Sequence, residues 1–590
     1  MSQVGGEPDR EVSVSRNGSR RVVPWLLLAA LAFGTWVRLH QLHLQIPADD
    51  EFHALHSVVR NNILQIAADF GDADRCIPLT LFYEIAAETV GLGDFLFRLP
   101  VVAAGLGILL LPLLLAGWSK AGTPSPKPLS PNTLTAWAWL MAVSPLLIFF
   151  SRYARPYSIA VLLSLAAVWA FYRWWTGAPR RWILFYAFAA TGAAYFHLSA
   201  AFFVTAPFAF ALLDLGLGSP RRRLRDVLAW GGATAAMMAF LLGPPLLHRS
   251  RSLTGKLSVQ SIDADTLDVA LTLLAGSRFT WIVVLLAVLA AFGLHGLARR
   301  FPRPAAFVAL AAAAQVAGVL TLGPMAIDQP IVFVRYNLVL LPLLLLAAAQ
   351  GTARLERLVR RGWRRRGHLS NRGGGAVEAP AGTRKTAPSR QSILAGWPAP
   401  FLAGLLLWAG PLPKADFHPN QWTNHSLFNA TYDLLDPRFS YLRTSRPKRV
   451  SDFYQTLADQ PPSSLRVLET PWYYQWPFNH YVQLQYRHRQ LMMIGFVDES
   501  GLRYGELPPH DPRFRFRHFA HLAETERIRQ ANIDYIILHK DLTREVAGSA
   551  AAVNEAPVPD MSRWLTEYRR QCGPPVYEDD LVAVFKPQDE

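Results

Sequence analysis

The chain has 590 residues, of which 51% are hydrophobic, and a formal net charge of +16. Several apolar runs reach the roughly 18 to 20 residues that a bilayer span needs, which excludes an ordinary soluble protein. Most of the excess basic charge lies in loops between these runs, where the positive-inside rule explains it. Because no nucleic-acid motif accompanies the charge, it does not predict a nucleic-acid partner.

Eleven apolar runs are predicted to cross the membrane, which makes the fold class a polytopic α-helical membrane protein. They cover approximately residues 22–43, 99–118, 133–150, 157–172, 182–195, 197–220, 227–247, 279–297, 304–323, 334–350 and 392–410. Basic residues precede the first run and recur in nearly every second loop. This alternation predicts a cytoplasmic N-terminus and an extracytoplasmic C-terminus.

Composition divides the chain into segments with different expected surroundings. They are a cytoplasmic N-terminal segment 1–21, a membrane domain 22–350 with an outer loop 44–97, a basic disordered cytoplasmic linker 351–391, a last span 392–410 and a soluble extracytoplasmic domain 411–590. In the last segment, residues 466–470, 535–538 and 581–585 are predicted to be strands. Since residues 514–530 have a helical pattern, we expect an α/β domain.

Three consecutive acids follow the first span, namely Asp49, Asp50 and Glu51. Pro47 suits the entry of a helix, and an aspartate can cap the N–H groups there. One interpretation is therefore a capped helix on the membrane surface, with acids that match its dipole. The other is a carboxylate site, and these residues alone leave both open.

Further polar residues gather at the predicted outer ends of spans. They are Arg98, Arg152, Tyr153, Arg155, His197, Arg249, Arg335 and Tyr336. Any one of them could simply extend its polar end to the membrane interface. As a group with the acids, they suit a lipid phosphate, because arginine binds phosphate oxygens in pairs and a carboxylate can act as a general base.

The order of these motifs over about residues 22–350 resembles that of GT-C fold glycosyltransferases, in particular the family-39-like group. That group includes protein O-mannosyltransferases and the aminoarabinose transferase of lipid A. The similar segments are Asp50-Glu51, Arg98-Leu99-Pro100, Ser151 to Ser158, Tyr195-Phe196-His197 and Arg335-Tyr336 followed by Pro342. One segment departs from the pattern: many relatives have His-Pro-Pro-Leu-Tyr where this chain has Cys76-Ile77-Pro78-Leu79-Thr80.

The resemblance implies a transferase in the cell (inner or plasma) membrane that moves a sugar from a polyprenyl-phosphate donor to a lipid, glycan or protein acceptor. It implies Asp50 as the base, with Asp49 and Glu51 as the other catalytic acids. The expected donor-phosphate and substrate residues are Arg98, Arg152, Tyr153, Arg155, His197, Arg335 and Tyr336. No cofactor is required, although a divalent metal at the acids stays open.

Two other classes of protein compete with a transferase. A transporter or lipid flippase would place charges deep within its spans and break helices near the midplane. Here the charges gather at one face instead. A non-catalytic scaffold would leave the acids and arginines without a purpose. The two cysteines, Cys76 and Cys572, have no spacing typical of zinc, and whether they pair is open.

Overall fold

A computed structural model describes most of the membrane region and parts of the C-terminal region. The described residues are 19–40, 42, 51–70, 76–118, 129–217, 223–248, 262–277, 279–324, 327, 330–370, 397–410, 450–461, 464–470, 484, 488, 490–494, 513–515, 528, 532–540 and 561–587.

Helices make up the membrane region. They are α1 (Ser19–Leu39), α2 (Phe52–Arg60), α3 (Ile63–Ala68), α4 (Ile77–Thr89), α5 (Asp94–Leu109), α6 (Leu111–Trp118), α7 (Pro131–Val143), α8 (Pro145–Phe150), α9 (Tyr157–Trp175), α10 (Arg181–Phe196), α11 (Ala200–Gly216), α12 (Leu224–His248), α13 (Ala264–Ala275), α14 (Thr280–Arg300), α15 (Pro302–Leu322), α16 (Pro330–Tyr336), α17 (Leu341–Ser370) and α18 (Pro398–Ala409). A 3-10 turn, Leu338–Leu340, precedes α17.

Five stretches among the described residues are long and apolar enough to cross a membrane. Four are the helices α9, α12, α14 and α15, and the fifth is Leu338–Arg361. Shorter apolar helices include α11, α18 and parts of α1, α5 and α13. The chain is therefore an integral membrane protein, while the count of eleven spans and their orientation stay predictions.

Proline divides one predicted span. The run at 133–150 forms two helices, α7 and α8, because Pro145 has no N–H to continue the ladder and restricts the residue before it. Ser144 accordingly has an extended ψ of 114° between the two helices.

The helix α17 continues further than the sequence suggested. It runs to Ser370, so the predicted disordered linker 351–391 is wrong for its first twenty residues, 351–370. Glu356 explains part of this extension: it accepts a hydrogen bond of 2.9 Å from Asn132 Nδ2 and forms an ion pair with Arg360 one turn later. Such i,i+4 pairs support a helix outside a hydrophobic core. Residues 371–391 lie outside the described residues.

Helices α14 and α17 pack with their backbones in close approach. A Cβ atom added to Gly293 would lie 1.8 Å from Ala347 O, and one added to Gly351 would lie 2.0 Å from Leu289 O. Small residues at such crossings are how membrane helices gain packing contacts without a hydrophobic driving force.

Short strands pair parts of the C-terminal region with one another and with the outer loop. They are β1 (Leu92–Gly93), β2 (Arg466–Thr470), β3 (Leu491–Ile494), β4 (Phe514–Arg515), β5 (Tyr535–His539), β6 (Tyr577–Glu578) and β7 (Val582–Phe585). The five-stranded sheet has the order β3-β2-β5-β7-β6, with β3, β2 and β5 parallel and the other two pairings antiparallel.

The sheet contains all three predicted strands. Helices α19 (Phe453–Ala458) and α20 (Met561–Cys572) accompany the sheet, and Val467 and Leu468 of β2 and Ile536 of β5 are fully buried. Cys76 and Cys572 lie in separate hydrophobic clusters, and no disulfide joins them. Placement of this region outside the membrane stays a prediction.

Residues 514–530 are not helical at their start. Phe514–Arg515 forms β4, which pairs in parallel with β1 of the outer loop. Arg513 adds an ion pair, with its Nη1 2.6 Å from Glu88 Oε1. The predicted helix is thus wrong here because a strand partner more than 400 residues away in sequence determines the local structure.

Candidate functional site

The structure describes most of the predicted site residues. Asp49, Asp50 and Arg249 lie outside the described residues. Glu51, the third predicted acid, is described and precedes α2.

Glu51 forms a buried ion pair. Its Oε2 is 3.4 Å from Arg98 Nη2, and both side chains have an exposed fraction of 0%. Its Oε1 accepts a hydrogen bond of 2.6 Å from the N–H of Ala154. Since a buried charge must be both paired and hydrogen-bonded, these contacts fit a structural role for Glu51. They attach the start of α2 to the segment that joins α8 to α9.

Tyr83 on α4 lies in the same region. Its ring is 4.8 Å from that of Phe97, the neighbour of Arg98. Burial raises the pKa of the Tyr83 phenol well above its usual range, the Glu51 carboxylate raises it further, and Arg98 and Arg155 oppose the shift. We call Glu51, Tyr83, Arg98 and Arg155 the Glu51 cluster. Sequence reasoning missed Tyr83, because an aromatic residue in an apolar helix usually belongs to the core.

Arg152 and Tyr153 both contact other parts of the chain. Arg152 Nη1 donates to Val37 O at 2.9 Å and to His40 O at 2.7 Å. These carbonyls lie at the C-terminal end of α1, where the last helical C=O groups need donors. Tyr153 is buried and stacks on Phe149 at 5.0 Å. Arg152 therefore attaches the segment after α8 to the end of α1, and Tyr153 packs on α8.

A second group of predicted residues forms around Arg335. The Arg335 guanidinium carbon lies 5.8 Å from the ring centroids of both Tyr157 and Tyr336. The His197 ring is 5.2 Å from that of Tyr157 and 5.1 Å from that of Tyr336. We call Tyr157, His197, Arg335 and Tyr336 the Arg335 cluster. Arg335 itself is only half-buried, unlike Arg98.

Local contacts hold this cluster in shape. His197 caps the C-terminus of α10 in an extended conformation, and its Nδ1 is 2.7 Å from Ser199 Oγ. That hydrogen bond fixes the orientation of the imidazole ring. Gln315 Nε2 donates to Tyr336 O at 2.7 Å, which holds the turn after α16.

Two members of this arrangement were not selected from the sequence. Tyr157 belongs to the Ser151 to Ser158 segment, so its motif position could have identified it. Ser199 carries no such signal, because a serine near a helix start is usually a cap.

Residues 151–157 join the two clusters. Ala154 donates its N–H to Glu51, and Tyr157 contacts both His197 and Arg335. The motifs that were separate in sequence are thus assembled at one end of the helical bundle. The arrangement combines cationic groups with aromatic rings, which suits an anionic group attached to an apolar chain.

The described residues contain no group of three or more His, Cys, Asp or Glu side chains that could hold a metal ion. Because Asp49 and Asp50 are not described, a metal at the acids stays an open prediction.

No family model matches the chain, and no curated protein matches it. Two solved structures of ArnT from Cupriavidus metallidurans are similar to it over most of its length. The structure bound to undecaprenyl phosphate is 11% identical, with a TM-score of 0.43, and the match covers 96% of this chain and 98% of that one. The apo structure is 12% identical, with a TM-score of 0.43, and the match covers 95% and 97%. Identities and TM-scores this low assign no activity to this chain.

Proposed function

We propose that the chain is a GT-C-type membrane glycosyltransferase that moves a sugar from a polyprenyl-phosphate donor to a lipid, glycan or protein acceptor at the outer face of the membrane. One observation carries the proposal: residues 151–157 join the Glu51 cluster to the Arg335 cluster at one end of an apolar helical bundle. This arrangement supports binding of a lipid phosphate beside a carboxylate-bearing loop.

Asp50 is the proposed general base. It directly precedes Glu51 in the sequence, and the Glu51 carboxylate contacts Arg98 and the N–H of Ala154. The Asp50 carboxylate would take the proton of the acceptor hydroxyl as that oxygen bonds to the anomeric carbon. The bond from this carbon to the phosphate oxygen breaks, the configuration at the carbon inverts, and the polyprenyl phosphate leaves.

Arg335 is the proposed principal contact of the leaving phosphate. Arg335 is half-buried, and its guanidinium carbon lies 5.8 Å from the ring centroids of both Tyr157 and Tyr336. A guanidinium can give two parallel hydrogen bonds to phosphate oxygens. Because negative charge grows on the phosphate as the sugar departs, such bonds stabilise the transition state more than the ground state.

The direct test uses the purified protein with a panel of undecaprenyl-phosphate-linked sugars and an envelope extract as the source of acceptor. We expect release of undecaprenyl phosphate together with sugar attached to an acceptor. No release from any donor would contradict the proposal. Transport of an intact donor across a liposome bilayer, without cleavage, would favour a flippase instead.

The orientation requires a separate test, because the outer-face assignment depends on it. Reporter fusions after residues 125, 225 and 375 are expected to report the cytoplasm, and a fusion after residue 420 the outside. Any reversal among the four would overturn the proposed orientation.

A further inference from the structure

Helix α4 carries three polar side chains on one buried face. Thr80, Tyr83 and Glu84 occupy positions i, i+3 and i+4, which lie side by side on a helix. The exposed fractions are 0% for Thr80, 0% for Tyr83 and 7% for Glu84. We call these three residues the α4 polar face.

One polar atom of each residue has no hydrogen-bond partner within the part of the chain that the structure describes. These atoms are Thr80 Oγ1, Tyr83 Oη and Glu84 Oε2. A helical threonine can satisfy its hydroxyl at the carbonyl four residues earlier, as Thr89 does on the same helix, with 2.6 Å to Ile85 O. Thr80 does not form this bond.

Three such atoms within five residues require an explanation. Burying a polar group without a partner destabilises the folded state, and native structures contain few of these groups. Packing alone would favour valine and phenylalanine at positions 80 and 83. The hydroxyls are therefore better explained by a partner that binds after folding.

The charges around the face define the chemistry of that partner. Burial and the Glu51 carboxylate raise the pKa of Tyr83, so its phenol is protonated at neutral pH and can donate a hydrogen bond. Burial and the neighbouring Glu88 raise the pKa of the Glu84 carboxyl, while Arg513 opposes the shift. The face thus offers two hydroxyls, which both donate and accept, beside a carboxyl group that accepts.

We propose that the α4 polar face binds adjacent hydroxyl groups of a sugar ring. Each sugar hydroxyl can both donate and accept a hydrogen bond, so it can pair with the hydroxyls of Thr80 and Tyr83 and with the carboxyl group of Glu84. A phosphate is disfavoured because its negative charge would lie near the carboxyl groups of Glu84 and Glu88, and an apolar lipid chain would leave all three groups unpaired. The inference rests on the proposed glycosyltransferase function and extends it, because it assigns residues that recognise the sugar.

Variants that keep the shape of the side chain test the proposal. Tyr83→Phe and Thr80→Val remove only an unpaired hydroxyl, so thermal unfolding in detergent should occur at an unchanged or higher temperature. Sugar transfer by each should fall about 3- to 10-fold in kcat/KM, and Glu84→Gln should lower it about 10- to 100-fold. Thr89→Val is the matched control and should leave transfer unchanged, because its hydroxyl is satisfied by Ile85 O.

Deoxy substrates identify which sugar is bound. Tyr83→Phe and the wild type should have equal kcat/KM with the deoxy analogue that lacks the hydroxyl bound by Tyr83. With that analogue, neither protein can form the hydrogen bond. If the effect disappears with a deoxy donor, the face binds the donor sugar. If it disappears with a deoxy acceptor, the face binds the acceptor.

Two results would overturn the inference while leaving the glycosyltransferase function in place. One is wild-type kcat/KM in all three variants of the face. The other is a lower unfolding temperature of both Tyr83→Phe and Thr80→Val, which would show that the hydroxyls stabilise the fold, for example through water. Absence of transfer by the wild-type protein would instead remove the proposed function and this inference together.

Discussion

The Glu51 cluster and the Arg335 cluster both combine arginine with aromatic rings, but the Glu51 cluster also contains a carboxylate and its Arg98 is more deeply buried than Arg335. Arg98 and Glu51 are fully buried, and both oxygens of the carboxylate are contacted by groups of the protein. Arg335 is half-buried, with aromatic rings as its neighbours. A buried, paired charge fixes the backbone around it, whereas a partly exposed guanidinium bordered by rings can contact a ligand.

The largest expected effect is the loss of sugar transfer when the proposed general base is removed. Asp50→Asn should reduce sugar transfer about 100- to 10,000-fold, because a general base is lost while the neighbouring anchor Glu51 is kept. Insertion and unfolding temperature should stay those of the wild type. Transfer rates measured with saturating donor check the prediction.

Asp49→Asn is the matched control for Asp50→Asn. Near-normal turnover of Asp50→Asn together with inactivity of Asp49→Asn would move the base one residue back. Activity of both variants would show that neither aspartate is the base.

The next effect concerns the stability of the Glu51 cluster. Glu51→Ala leaves the Arg98 charge buried beside the vacated site, so the free energy of unfolding should fall by about 3 to 5 kcal/mol. The double variant Glu51→Gln with Arg98→Met should lose less free energy of unfolding, because it removes both charges. Chemical unfolding in detergent measures both.

An exposed ion pair is the control for the buried pair of Glu51 and Arg98. Glu567 and Arg570 in α20 form an exposed ion pair, with 2.5 Å between Arg570 Nη2 and Glu567 Oε1. Glu567→Gln should lower the free energy of unfolding by less than about 1 kcal/mol, because solvent screens the pair. Equal losses of unfolding free energy in Glu51→Ala and Glu567→Gln would refute the structural role given to Glu51.

A moderate effect is expected at Arg335. Arg335→Lys should fold normally but transfer about 10- to 100-fold more slowly, since lysine offers a point charge where the guanidinium offers two parallel hydrogen bonds. Arg335→Ala should be slower still. With saturating donor the loss should appear mainly in kcat. Wild-type turnover of the lysine variant would show that only a charge at the interface is needed there.

The smallest effect is expected at Arg152, which belongs to neither cluster. Arg152 Nη1 donates to two backbone carbonyls, and an ammonium can also donate to such oxygens. Arg152→Lys should therefore keep transfer within about 3-fold of wild type. A loss as large as that of Arg335→Lys would place Arg152 at the phosphate as well.

The sequence by itself determined the membrane character, the three central strands of the sheet and the set of polar residues at one end of the bundle. These features follow from composition and short-range periodicity. Hydrophobic runs of span length favour helices in a bilayer whatever their neighbours, and short apolar stretches such as residues 535–538 suit a strand that is buried on both faces.

Tertiary structure alone decided the individual roles of these polar residues. The hydrogen bond from Ala154 to Glu51 joins residues 103 apart, the pairing of β4 with β1 turned a predicted helix into a strand, and Arg152 was separated from Arg335 by what each contacts. Sequence cannot show which groups each arginine contacts, because that depends on the distance and burial of partners from other segments. The α4 polar face became visible for the same reason, since a missing partner can be recognised only after the chain has folded.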